Sequence, residues 1–136
     1  MTRPPATNPC GTCPYRKDVP SGVWHPEEYA KLADYDKDTG YQPPHLFACH
    51  QQDGRLCAGW CGTHDMEENL ALRLAEHSGK LTAEEVEEVL DYTTEVPLWS
   101  SGAEAARHGL AEVDAPSPAA QRKIDRLSRR LPQGRS

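Results

Sequence analysis

Apolar and polar positions divide the chain into two halves. Residues 1–24 show no sustained apolar period, because Pro4, Pro5, Pro9, Pro14 and Pro20 interrupt every window, and the proline ring breaks a regular helix. This stretch is expected to be extended coil. Periodicity first appears at Pro26, which suits an opening helical turn, with Glu27 and Glu28 complementing the dipole there. Tyr29, Leu32 and Tyr35 then fall on one side, so a helix is predicted to run from Pro26 to near Asp36. Residues 36–62 return to loop, punctuated by Gly40, Pro43, Pro44, Gly54, Gly59 and Gly62. One brief strand is expected at 46–49.

The second half reads as helix. Asp65 with Glu68 has the spacing of a capping box, and Gly79 supplies a stop, with Met66, Leu70 and Leu74 near one face and Leu72 beside them. Thr82 with Glu85 is a second box, opening a helix with Val86, Val89 and Leu90 inward and ending before Pro97. A shorter helix is predicted over 101–109, closed by Gly109. Residues 111–118 read as a linker, and 119–136 as an amphipathic tail with Ile124, Leu127 and Leu131 at helical spacing.

Composition explains why the first half needs help to fold. Of 136 residues, 37% are hydrophobic and a single one is Phe, against twelve prolines and ten glycines. So small and loop-rich a unit needs a staple. Five cysteines inside 52 residues supply candidates: Cys10 and Cys13 as a CxxC, Cys49 before His50, then Cys57 and Cys61 around Trp60. The N-terminus has no apolar stretch that reads as a signal peptide and no run approaches a membrane span. A cytoplasmic protein is therefore expected, where thiols stay reduced and an odd cysteine count is no anomaly.

Reduced cysteines at this spacing point to a metal. Cys10 and Cys13 form the first half of a tetrahedral site and Cys49 with Cys57 the second, with Cys61, His50 and His64 as alternates. Zn2+ stands narrowly ahead of a 4Fe-4S cluster, which accepts the same soft donors. Catalytic readings are weaker. A dithiol redox motif should follow a strand, for which nine coil-like residues leave little room, and Pro14 is a poor continuation. A zinc deaminase would need its His-x-Glu half before Pro9-Cys10, whereas His25-Pro26-Glu27 follows it. No Ser-His-Asp order, P-loop or dinucleotide turn is present.

Charge adds one more feature. Net charge is −6, yet residues 119–136 carry six cations against Asp125, a net +5 that leaves −11 on the remainder. A basic tail on an acidic body suggests an interaction arm for a protein partner or for nucleic acid, or simply a solvated segment. No membrane role is expected.

The runs PCGTCPYRKDVPSGVW, FACHQQDGRLCAGW and NLALRLA, with the later SGAEAARHGL, resemble a domain-of-unknown-function family of short proteins from actinobacteria and their bacteriophages. The resemblance covers roughly 8–110. It implies that the cysteines matching Cys10, Cys13, Cys49 and Cys57 recur, that Cys61 is an addition, and that no activity is established. The chain is thus expected to be mainly α: a single small domain over 1–110, loop-rich and metal-stapled over 1–64 and helical over 65–110, followed by the linker and tail. Its expected role is a metal-binding, binding or regulatory module rather than an enzyme. Alternatives are a redox-responsive iron–sulfur regulator of host transcription and a thiol–disulfide enzyme.

Overall fold

The computed structural model describes residues 2–130. Leu131 and Arg135, counted above toward the tail, lie outside the described residues, as does the Arg130 side chain. The protein is mainly helical, with α1 (Pro26–Ala30), α2 (Ala58–Thr63), α3 (Leu70–Ser78), α4 (Ala83–Leu90), α5 (Gly102–Leu110) and α6 (Pro118–Arg130). Among the described residues there is no extended strand, only isolated bridges pairing Arg3 with Arg55, Arg16 with Leu98 and Ala48 with Leu56. The strand expected at 46–49 is thus reduced to one bridge. Its backbone serves instead to clamp a loop, with the Cys57 N–H donating to Phe47 O at 2.8 Å and the Cys49 N–H to Arg55 O at 2.9 Å.

The segment opened by Pro26 buries Tyr29, Leu32 and Tyr35 as their spacing predicts, although the helix tightens after Ala30 into a 3-10 turn, Leu32–Asp36. His25 caps its start by accepting from the Glu27 N–H. Helix α5 lies across this segment, and two glycines let it approach. At Gly102 a Cβ would sit 1.9 Å from Leu32 O, and at Gly109 one would sit 2.1 Å from the Tyr29 ring. Gly109 is therefore a packing position inside α5 and not the predicted stop. Asp36 completes the junction by accepting from the Gly102 and Ala103 N–H groups at 2.7 and 2.8 Å, beside the Ser101 cap.

The helix expected from Asp65 breaks in two. Asp65 caps only a 3-10 turn (Met66–Glu68), accepting from Glu67 N–H in place of the predicted box. Buried Asn69 then starts α3 afresh by accepting from Leu72 N–H, since a side-chain amide competes with the backbone for the same donors. This restart rotates the face: Ala71, Leu72 and Ala75 point inward, and Leu74 is left 44% exposed. Gly79 ends α3 in the left-handed conformation (φ +79°), and Thr82 with Glu85 forms the full reciprocal box of α4. The core continues into α6, where Ala120, Ile124 and Leu127 are buried.

Gly109→Ala checks the α1–α5 packing. An exposed helical glycine gains roughly 1 kcal/mol on becoming alanine. Here the added methyl must displace the Tyr29 ring, so a loss of about 1–3 kcal/mol is expected in urea unfolding. Gly40→Ala, which has open space, serves as the control, and an unchanged Gly109→Ala midpoint would refute the close approach.

Candidate metal centre

Three loops converge to build the site. The first carries Cys10 and Cys13 in a turn closed by Cys13 N–H donating to Cys10 O (3.0 Å) and Arg16 N–H to Cys13 O (3.1 Å). Trp24 fixes it from inside by donating its indole N–H to Thr12 O at 2.7 Å. Arg16 fixes it from outside, reaching Pro9 O at 3.0 Å while paired with Asp18 at 2.8 Å. The second loop presents Cys49, whose sulfur accepts from Gln52 N–H at 3.3 Å. Thr12 and Gln51 hydrogen-bond through their side chains and so tie this loop to the first. The third element is α2, with Cys57 at its N-cap and Cys61 one turn later.

The sulfurs meet in pairs that cross between loops. Cys13 Sγ lies 3.8 Å from Cys57 Sγ, both residues being buried. Cys10 and Cys49 are half-buried and act on one another electrostatically, while Cys10 Sγ lies 3.8 Å from Thr12 Oγ1. Each pair divides into a thiol and a sulfur disposed to carry charge. Cys13 is lowered by its bond from Cys57 and, against burial, by the N–H groups of Tyr15 and Gly59. Cys49 is lowered likewise by Cys10 and by the N–H groups of Gln51 and Gln52. Their partners move the other way, Cys57 through Cys13 and burial and Cys10 through Cys49 and burial. Charge at Cys13 is felt at Cys10, Cys57 and Cys61, so the five sulfurs form one electrostatic neighbourhood. Cys61 stands apart within it: burial pushes its thiol up to about 12. Among the described residues, no group of three or more His, Cys, Asp or Glu side chains stands at metal-binding separation.

The alternate nitrogen ligands differ from each other. His50 Nε2 meets Glu28 Oε1 at 2.7 Å, while its Nδ1 is buried without a hydrogen-bond partner and its ring lies 4.6 Å from that of Trp24. Although burial acts to raise the Glu28 carboxyl, Lys31 and His50 hold it below its ordinary value. Both ring nitrogens of His64 have protein neighbours: Nε2 meets Tyr15 OH at 3.2 Å and Nδ1 lies 3.6 Å from Asp36.

A family model matches residues 5–129 of the chain. The chain belongs to DUF6283, a family of unknown function. The DUF6283 match extends beyond the resembling segment at 8–110 and takes in nearly all of α6. No curated protein and no solved structure matches the chain.

Sequence reasoning missed the part that four residues play around the cysteines, having read Gly59 only as loop punctuation and Glu28 only as a dipole partner. Gly59 is the least dispensable, since a Cβ there would lie 2.4 Å from Cys13 Sγ and 2.7 Å from Tyr15 Cβ. Its position two residues after Cys57 was the available signal. Thr12 inside the CxxC and Gln51 after Cys49 had only proximity to the cysteines to mark them. Glu28 was read as a dipole partner of α1 and also holds His50.

His64 gives the region a pH dependence. Burial lowers its pKa from 6.5, with Asp36 acting in the opposite direction. The unfolded chain therefore binds this proton more readily than the folded one. The neutral ring's contribution to stability is intact above pH 6.5 and is lost as pH falls from there toward the lowered value. Between about pH 7.5 and about pH 5.5, urea midpoints should fall less for His64→Gln than for the parent chain. Equal losses would show that His64 does not titrate on unfolding.

Proposed function

We propose that this protein is a small zinc-binding module in which Cys10, Cys13, Cys49 and Cys57 supply four thiolates and the ion holds the loop-rich half together. The observation that carries the proposal is the 3.8 Å separation of Cys13 and Cys57. Zn–S bonds of about 2.3 Å at the tetrahedral angle place sulfurs about 3.8 Å apart, so this pair already spans one edge of a zinc tetrahedron. Cys10 and Cys49, whose thiols act on one another, would supply the opposite edge once the ion draws the half-buried loops together. Backbone N–H groups aimed at Cys13 and Cys49 spread the thiolate charge that zinc requires. No helix among the described residues is long and apolar enough to cross a membrane. The proposal sets the protein, of actinobacterial or phage origin, in the reducing cytoplasm of the bacterium, acting there as a binding or regulatory module.

The two rival chemistries fit this arrangement less well. A four-iron cube holds its ligating sulfurs at outer corners, well beyond contact, whereas Cys13 and Cys57 touch. A dithiol enzyme pairs the two cysteines of its CxxC and exposes one of them. Here each partner lies across the fold, and the Cys13–Cys57 pair is sealed from solvent.

Elemental analysis of protein purified without oxygen is expected to give one zinc per chain and a colourless solution. Cys13→Ser and Cys57→Ser should lose the metal and Cys61→Ser should keep it. Removal by a strong chelator should lower the thermal midpoint by more than about 10 °C, because metal binding is coupled to folding. A metal-free protein whose helical circular dichroism and midpoint ignore the chelator would sink the proposal, and a brown protein containing iron and sulfide would replace zinc with a cluster.

A further inference from the structure

Helix α6 has two unlike faces. Ala120, Ile124 and Leu127 are buried, which fixes the helix by its apolar stripe. Arg122, Arg126 and Arg129 are exposed at i, i+4 and i+7, a row within about 60° of the helix circumference on the side away from the buried stripe. Among the described residues none of these three guanidinium groups enters an ion pair. Lys123 stands beside them and donates to Gly11 O at 2.9 Å, which leaves its ammonium with further N–H groups to give.

The row borders a small polar pocket of about 90 Å³ lined by Gly11, Thr12, Gln51, Lys123, Arg126 and Leu127. Lys123 and Arg126 bring two cations to this space, beside the mutually hydrogen-bonded Thr12 and Gln51 side chains. Of the nearby acids, Asp18 is neutralised by Arg16, and Asp125 keeps its charge while accepting from the neutral Gln121 amide at 2.9 Å, one anion against four cations. The densest acidic run, Glu84, Glu85, Glu87, Glu88 and Asp91, belongs to α4 and its end, and α4 packs on α3 and on the 3-10 turn before it.

We infer that the exposed face of α6 binds the phosphodiester backbone of nucleic acid, with Arg122, Arg126 and Arg129 tracking successive phosphates and the Lys123–Arg126 pocket seating one of them. Phosphate is favoured over carboxylate partners because an ammonium and a guanidinium line the same small pocket beside a row of arginines at phosphate-like spacing, a pattern that a repeating polyanion uses more fully than a single planar carboxylate. No base edge is read by this arrangement, so binding is sequence-independent. It goes beyond the zinc proposal and does not depend on it, since no cysteine contributes a contact.

Fluorescence anisotropy with a labelled duplex of about 20 base pairs and mixed sequence tests the inference on the full-length protein. Four cations neutralising four phosphates give a slope of log K against log salt of about −3 to −4, or roughly a 100-fold loss of affinity between about 50 and 200 mM salt. Arg122→Ala, Arg126→Ala and Arg129→Ala combined should reduce the slope to about −1, with circular dichroism and metal content unchanged. The same three positions changed to Lys should restore the slope, which a merely structural role for arginine would not do. Polyglutamate competing as well as the duplex at equal charge would overturn the phosphate assignment in favour of an acidic protein partner. Absence of duplex binding at low salt, or binding indifferent to the triple alanine change, would overturn the surface itself.

Discussion

The sulfur of Cys13 occupies the place where residue 59 would otherwise carry a side chain, and much of the N-terminal half is arranged around that close approach. Because position 59 is glycine, α2 can press its first turn onto the CxxC loop until Cys13 and Cys57 touch across 44 residues of sequence. The same approach buries Tyr15 beside Phe47 and brings Phe47 and Trp60 against Tyr35. A chain with one Phe and many prolines thereby gains a continuous aromatic core. Sulfur contact and aromatic core are built by the same segments, since Tyr15 follows Cys13 by two residues and Trp60 follows Cys57 by three.

Around this junction, hydrogen bonds supply much of the order that regular secondary structure supplies elsewhere. Trp24 holds Thr12, Thr12 holds Gln51, and the 47–57 loop is closed by its own backbone. The C-terminal helices are anchored to the same half by Asp36 on the start of α5 and by His108 and Ser21 at its end, where His108 Nε2 meets Val19 O at 2.7 Å and Ser21 donates to Gly109 O at 3.0 Å. The helical half is thus a set of braces applied to a loop framework, and it is not a separable bundle.

Local signals in the sequence were reliable where a residue acts on its own backbone. Pro26, Gly79 and the Thr82–Glu85 box each govern the donors or dihedrals next to them, and each does in the structure what its chemistry dictates. Legibility failed where the deciding partner is remote. Gly109 looks like any helix stop until the Tyr29 ring is found against it, and the Asp65 box loses to Asn69 because buried Asn69 starts the helix again. For the centre, the cysteines announced themselves by number and spacing. Their pairing across loops was illegible, because it is set by Gly59, Thr12 and Gln51, none of which carries a distinctive signature.

The bond from Lys123 to the carbonyl of Gly11 joins residues 112 positions apart. During synthesis the CxxC turn leaves the ribosome before the helix that carries Lys123. For that interval the turn lacks the bond that Lys123 later makes to it. Order of emergence thus gives the turn a period of freedom that the finished structure does not display.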